Sequence, residues 1–210
     1  MSGGVDFDEA THTYRLDGVP VEHVTGVLAA EGLVDLAAIP EATLEWKASV
    51  GRAAHRATQL DDLGRLDESS VDDIVRPYLV GYRKWKATVR PVFNREFIER
   101  PMIHSVWRYG TTPDRGSVQI GGRWGVLEVK CTTTIHPAVG LQLAAQALCV
   151  RECAMGPIMP RARWVLQLDP SKAPAYRLRE CTDPGDESVW LAALAIHRWK
   201  ANRAAGAYRK

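Results

Sequence analysis

The sequence has no apolar run that approaches the roughly 20 residues needed to cross a lipid bilayer. Its first ten residues contain neither a basic region nor an apolar stretch, so no secretory signal peptide is expected. Internal repeats and low-complexity segments are lacking as well. These absences predict a soluble, cytoplasmic chain without a membrane partner.

Cysteine is scarce, and the four cysteines lack paired CxxC spacing: Cys131, Cys149, Cys153 and Cys181. A cytosolic chain keeps its thiols reduced, so a disulfide scaffold is not expected. Cys149 and Cys153 stand four residues apart in a helical pattern, where they could face one zinc or iron–sulfur ligand. The simpler interpretation is that the cysteines are small buried apolar residues.

A strong excess of charge is also lacking, because 27 Lys and Arg against 25 Asp and Glu give a formal net charge of only +2. The distribution is nevertheless uneven. Residues 76–100 hold seven basic and two acidic side chains with interleaved aromatics, and residues 61–73 hold six acids and one Arg. A basic, aromatic segment suits a phosphate backbone and unstacked bases. A solvated helix face with buried aromatics explains the same pattern without any ligand.

The 210 residues are 46% hydrophobic and 25% charged, which is close to an average globular chain and suits one domain. Turn and periodicity signals predict a hairpin at 11–24 and helices at 25–38, 41–63, 69–89, 137–153 and 187–204. The strands are predicted at 92–99, 102–109, 117–120, 124–130, 162–168 and 175–181. This order predicts an α/β fold with a central mixed sheet flanked by helices. We expect a single domain over 1–210, with an N-terminal part (1–90), a catalytic sheet (91–182) and a C-terminal helix (183–210).

The most informative residues are Asp114 and, fourteen positions later, Glu128 and Lys130. Glu128 and Lys130 stand at i and i+2 of a predicted strand, so both side chains leave the same face. Two converging carboxylates repel each other unless a cation such as Mg²⁺ lies between them. The pattern therefore predicts a divalent metal site with an adjacent ammonium group.

The register of the predicted hairpin decides whether Asp114 joins this site. A two-residue turn at Gly121-Gly122 would pair Asp114 with Val129 and place Asp114 and Glu128 on opposite faces. A three-residue loop, or one bulge, would pair Asp114 with Lys130 and restore a common face. We therefore expect an irregular hairpin if the site is real.

These residues resemble the PD-(D/E)XK nuclease superfamily, in its RecB-like and phage exonuclease branch. That branch has an Asp, then an acidic-x-Lys on the next strand and a Gln on the following helix, matched here by Asp114, Glu128-Val129-Lys130 and Gln142. An upstream Gly-x-x-x-His matches Gly51 to His55, and a Glu before the Asp matches Glu99 or, less well, Glu96. The resemblance covers roughly residues 7–205, including the N-terminal hairpin.

The chain departs from the family at two points. The family often has Tyr four residues after the Gln, where this chain has Gln146. Members with an iron–sulfur cluster carry a cysteine upstream of the His, and here no cysteine precedes Cys131. The resemblance therefore implies no such cluster.

What the resemblance implies is an Mg²⁺- or Mn²⁺-dependent deoxyribonuclease with one or two ions, in phage or bacterial recombination or repair. Metal ligands would be Asp114, Glu128, the Val129 carbonyl and His55, with Glu99 as a weaker candidate. Lys130 would orient the attacking water or stabilise charge, and Gln142 would position Lys130 or a phosphate. Because the His-bearing branch consists mostly of exonucleases, the expected substrate is DNA with free ends.

Contacts to DNA are expected from the basic and aromatic residues near this site: Arg52, Tyr82, Arg83, Trp85, Lys86 and Arg115. A single-strand annealing or single-strand-binding protein is a possible partner. Each site residue also has a plain structural interpretation, as a surface pair, a surface histidine or a turn. Two other classes stay open, a non-catalytic DNA-binding module on the same fold and an adaptor that binds proteins through its basic, aromatic face.

Overall fold

The computed structural model describes residues 5–34, 41–153 and 159–204, with side chains described from residue 45 onward in the second range. The five helices of these ranges are α1 (Val24–Ala30), α2 (Glu41–Leu63), α3 (Arg76–Val89), α4 (Val139–Cys153) and α5 (Asp186–Ala204). The strands are β1 (Val5–Asp8), β2 (Thr13–Leu16), β3 (Val19–His23), β4 (Val92–Phe93), β5 (Met102–His104), β6 (Tyr109–Thr111), β7 (Arg115–Ile120), β8 (Arg123–Lys130), β9 (Ala162–Leu168) and β10 (Tyr176–Glu180). No helix in these ranges is both long and apolar enough to span a membrane.

The strands form two five-stranded sheets, in the orders β1-β2-β3-β6-β5 and β10-β9-β8-β7-β4. In the second sheet β8 and β9 are parallel and are joined through α4, while the other neighbouring pairs are antiparallel. This arrangement confirms the prediction of an α/β fold with a mixed sheet and flanking helices. The predicted hairpin at 11–24 is also confirmed, as β2 and β3.

The second sheet lies between two layers of helix. On one face Val126 packs in a core with α4 and α5, including the buried Leu143. On the other face Leu127 and Val129 pack against the buried Tyr82 of α3. Alternate residues of β8 therefore face different helices, as the two-residue period of a strand requires.

The helix predicted from residue 69 begins later, at Arg76, and Pro77 lies in its first turn. Proline is tolerated there because its missing N–H has no partner in the first turn of a helix. Residues 68–70 form a short 3₁₀ helix instead, capped by the Asp67 side chain. The helix predicted at 25–38 ends at Ala30, before Gly32 with its positive φ of 69°. Residues 35–38 of that prediction lie outside the described residues.

The strands predicted at 92–99 and 102–109 are wrong in their extent. Only β4, β5 and β6 form there, and a 3₁₀ helix covers 95–97. The Asn94 side chain accepts a hydrogen bond from the Glu96 N–H and caps this short helix. A side chain that satisfies the local backbone competes in this way with pairing between strands.

Strands β7 and β8 form the predicted hairpin across Gly121 and Gly122, which have φ of 57° and 80°. Two successive residues with positive φ are what a type I′ turn requires, and glycine adopts them without steric cost. The turn contains two residues, with Ile120 paired to Arg123. The three-residue loop considered above is therefore not the source of any irregularity.

The expected irregularity is a bulge farther from the turn. It moves the partner of Asp114 from Val129 to Glu128, whereas the expected bulge would have moved it to Lys130. The pairing shifts by one residue between Arg115, which pairs with Leu127, and Val118, which pairs with Gly125. The extra residue lies in β7, so that Asp114 comes opposite Glu128 instead of Lys130. The two carboxylates thus reach the same face of the sheet through a different register.

A buried ionic network fixes β7 to the helices beside it. The Arg115 side chain is 1% exposed, and its Nε donates to Oδ2 of Asp62 on α2 at 2.7 Å. Asp62 also accepts hydrogen bonds from the Tyr82 hydroxyl and from Lys86 Nζ, the latter at 2.7 Å. Each buried charge has an opposite charge in contact, as burial requires.

Removal of one partner from this network should destabilise the protein strongly. We expect Asp62→Ala to cost about 3–5 kcal/mol of unfolding free energy, because Arg115 would remain buried without its counter-ion. Glu180→Ala is the control, since it breaks the exposed Arg123–Glu180 pair and should cost about 0.2–1 kcal/mol. Urea unfolding measures both, and equal losses in the two variants would contradict the assignment.

Candidate functional site

The hairpin bulge places Asp114 between β8 and α2. Its Oδ2 accepts a hydrogen bond from the Val129 N–H at 2.6 Å, and its Oδ1 lies 3.2 Å from Nδ1 of His55. The carboxylate is thereby held by backbone on one side and by a helical imidazole on the other. The structure brings Asp114 and His55 together, as the sequence motifs predict.

Glu128 and Lys130 project from the same face of β8 toward α4, as their spacing predicts. Lys130 Nζ lies 2.7 Å from Oε1 of Glu128 and donates to Oε1 of Gln142 at 3.1 Å. Gln142 Nε2 donates in turn to Oε1 of Glu128 at 2.8 Å. The three side chains form a closed triangle, so the predicted contact between Gln142 and Lys130 is present.

Gln146 belongs to this group although the sequence analysis noted it only as a departure from the family. It is 1% exposed, and its Nε2 donates to Oε2 of Glu128 at 2.9 Å. The signal that could have found it is the i, i+4 spacing from Gln142, which puts both amides on one face of α4. With Lys130 and the two glutamines as donors, both Glu128 oxygens are held in place.

Glu99 approaches Asp114 from the segment before β5. Its N–H donates to the Asp114 carbonyl at 3.1 Å, and its φ of 49° is unusual for a residue with a side chain. Such backbone strain persists where the surrounding contacts hold the residue, and it is concentrated at functional sites. This geometry supports Glu99 over Glu96 as the acidic residue of the site.

The titrating groups of the site perturb one another strongly. Burial, and after it the neighbouring charge of Asp114, raise the pKa of Glu99 to about 8. Burial alone would lower the pKa of His55, but the Asp114 carboxylate outweighs it and raises that pKa to about 9. The pKa of Asp114 is lowered despite its burial, because His55 stabilises the carboxylate. Burial opposes the charge of Lys130, yet Glu128 raises the pKa of this ammonium.

A metal ion would find three convergent donors in this site. One ligand atom each from His55, Glu99 and Asp114 lies within 4.8 Å of the others. The Val129 N–H faces Asp114, and the carbonyl of the same extended residue points toward the same neighbouring strand. Carboxylate and carbonyl oxygens suit Mg²⁺ or Mn²⁺, so the donor set fits either ion. Glu128 is not part of the convergent group, because its oxygens accept from Lys130 and the α4 glutamines.

A cleft of about 850 Å³ opens over these donors. His55 and Glu99 line it, together with the exposed Arg52 and Arg56. Gly51 also lines it, and no atom lies within 4 Å of the place where a Cβ on Gly51 would stand. The predicted role of Gly51, which is to leave room beside His55, is therefore compatible with the structure.

The prediction that bases stack on Tyr82 or Trp85 is wrong, because both rings are 0% exposed and belong to the core under α3. Arg115 is buried as well and cannot reach DNA. Arg83 and Lys86 are paired with acidic residues of the 61–73 segment. The basic segment and the acidic segment therefore neutralise each other in part. Among the six residues proposed for DNA contacts, Arg52 alone is exposed in the cleft.

No protein-family model and no curated protein matches the chain. The resemblance to the PD-(D/E)XK nucleases therefore rests on the order and spacing of the motifs.

The His55–Asp114 pair predicts a loss of stability as the pH rises. In the unfolded chain the pKa of His55 is near its ordinary value of 6.5, whereas in the folded protein it is about 9. The stabilisation that the protonated His55 contributes is complete below pH 6.5 and is lost as the pH rises through 9. The reason is that His55 releases its proton at a lower pH in the unfolded chain than in the folded protein.

The measurement is the unfolding free energy of the metal-free protein across this pH range. We expect the slope to be smaller in His55→Gln, and to be unchanged in His136→Gln, which replaces an exposed histidine outside the pair. An identical slope in His55→Gln and the unsubstituted protein would contradict the pairing.

Proposed function

We propose that this protein is an Mg²⁺- or Mn²⁺-dependent deoxyribonuclease that removes nucleotides from DNA ends. The observation that carries the proposal is the hairpin bulge, which brings Asp114 opposite Glu128 and beside Lys130. His55 and Gln142 reach the same point from two separate helices. Phosphodiester hydrolysis needs this combination of an oxygen-rich cation site and an adjacent cationic donor.

Each residue has a role that follows from its contacts. Asp114, Glu99 and the Val129 carbonyl would hold the cation, with His55 as an additional ligand once it has lost its proton. When bound, the cation lowers the pKa of a coordinated water and stabilises charge on the attacked phosphate. Lys130 is held by Glu128 and Gln142, so its remaining N–H can donate to the attacking water or to a phosphate oxygen.

A DNA-binding module or an adaptor without catalysis is the alternative, and the charges of the site favour the enzyme. Glu99 and Asp114 lie together at low exposure, and burial and then the Asp114 charge raise the pKa of Glu99 although Arg115 lies 3.7 Å from it. Strong perturbation of this kind is concentrated at catalytic sites. A surface that binds DNA by charge needs exposed cations and gains nothing from a buried pair of carboxylates.

The preference for ends is supported by the cleft and by the motif on α2. Gly51 and His55 stand one helical turn apart and both line the cleft, so a strand could pass close to the backbone beside the metal site. Arg52 and Arg56 could contact its phosphates. Members of the resembled family with this helix motif thread a free strand past the metal, and the proposal of an end as the substrate follows from that resemblance.

The first test of the function separates metal binding from cleavage. Asp114→Asn should lose both, whereas Lys130→Ala should lose cleavage by about 100-fold or more and still bind Mn²⁺. Glu128 keeps its hydrogen bonds to Gln142 and Gln146 in the Lys130 variant, so the carboxylate should stay in place. Calorimetric titration and digestion of end-labelled DNA with Mg²⁺, Mn²⁺ or EDTA measure the two properties.

Glu180→Gln is the control for this test, because it removes a carboxylate from an exposed pair on β10. It should retain metal binding and cleavage. Full nuclease activity of Asp114→Asn, in a preparation free of host nucleases, would overturn the assignment.

The second test concerns ends and His55. Linear DNA should be degraded, covalently closed circles should survive, and His55→Ala should reduce the rate about tenfold or more because a ligand is lost. His197→Ala, which changes a histidine on α5 that neither lines the cleft nor belongs to the metal group, should behave like the unsubstituted protein. Rapid cutting of closed circles would refute the preference for ends, and a fully active His55→Ala would remove His55 from the site.

A further inference from the structure

A second cavity lies next to the catalytic lysine. It has a volume of about 320 Å³, and Lys130 and Gln142 form part of its wall. The rest of the wall is largely apolar and comes from α1 and α4 and the segments beside them: Leu28, Val34, Ile135 and Val139. The proposed function does not use this cavity.

The cavity and the cleft share two residues, Lys130 and Thr132, so they adjoin on the two sides of the Lys130 side chain. Lys130 also lines the cleft that opens over His55 and Glu99, so a group in the cavity lies beside the proposed metal site. A ligand could therefore occupy the cavity and the site at the same time if it carried an apolar part next to an anionic part.

The chemistry of the wall limits the apolar part further. The volume is at the small end of the range for ligand pockets, about 300–1,000 Å³, so the occupant is small. Lys130 is the one charged residue among those that line the cavity unless His136 is protonated, and no carboxylate is among them. Three threonines also line the wall, and the hydroxyls of Thr25 and Thr132 already contact His23 Nδ1 and the Thr134 carbonyl, so they meet a ligand mainly as acceptors. A flat heteroaromatic ring with polar edges meets these conditions.

We propose that this cavity holds the base of a nucleotide adjoining the scissile phosphate. The inference rests on the proposed function and defines its substrate, which is an unstacked, single-stranded end. A base must leave its stack to enter the cavity, and this costs least where the strand is already single. A wall that is largely apolar, with few hydrogen-bonding groups left for a ligand, selects no particular base, so the cavity accepts all four.

The test begins with binding, which requires no catalysis. The unsubstituted protein is titrated in EDTA with thymidine 5′-monophosphate and with deoxyribose 5-phosphate, which lacks the base, and NMR shifts report the affinity. We expect about tenfold tighter binding of the nucleotide, the size of one base–protein contact. Equal affinities for the two ligands would overturn the proposal.

A matched pair of variants locates the effect. Ala29 lines the cavity and its neighbour Ala30 does not, and both are exposed on α1. Ala29→Phe should fill the cavity and abolish the tenfold difference, whereas Ala30→Phe should keep it. If Ala29→Phe kept the full difference in affinity between the two ligands, the base would bind elsewhere and its assignment to the cavity would be refuted.

A digestion experiment distinguishes an error in the assignment of the base to the cavity from an error in the proposed nuclease activity. A single-stranded oligonucleotide with an abasic terminal or penultimate residue should be degraded about tenfold more slowly than its intact counterpart. Equal rates on these substrates would refute the role of the cavity while leaving the nuclease intact. Binding that depends on the base, without cleavage of any substrate, would support the cavity and refute the nuclease.

Discussion

The contact between Arg115 and Asp62 holds the hairpin at the point where its register shifts. Arg115 is the first residue of β7 and follows Asp114 directly, and its Nη1 donates to the Asp114 carbonyl at 2.7 Å. Because Asp62 and the Tyr82 hydroxyl enclose the guanidinium, β7 cannot slide along β8 without leaving a buried charge unpaired. The position of the Asp114 carboxylate thus depends on an ionic network that takes no part in the chemistry itself.

The alternation of β8 explains how one strand serves both the core and the site. Leu127 and Val129 face α3 with the apolar core, while Glu128 and Lys130 face α4. On the α4 side the partners are the amides of Gln142 and Gln146, so the polar groups of the strand meet polar groups of the helix. A helix with apolar residues at these two positions would leave Lys130 as the donor to Oε1 and would remove the donor from the buried Oε2 of Glu128.

Local patterns in the sequence predict those parts of the site that depend on one element. The shared face of Glu128 and Lys130 follows from the period of a strand, and the proximity of Gly51 and His55 from the turn of a helix. The direction of the bulge could not be predicted, because it depends on a salt bridge between Arg115 and a helix 53 positions upstream. The burial of Tyr82 could not be predicted for the same reason. Its partners lie on β8 and β9, far away in the chain.

The charges of the site also determine how metal and protons compete. In the metal-free protein the His55 proton balances Asp114, and Glu99 holds its own proton to a pH of about 8. A cation bound by these groups would neutralise the Asp114 and Glu99 carboxylates in place of the two protons, so it must displace both protons. Its apparent affinity should therefore rise with pH up to about 9, the pKa of His55. Lys130 is not displaced, because Glu128 and Gln142 hold it on the α4 side. A cation bound here would thus replace two protons while the positive charges of Lys130 and Arg115 stay in position.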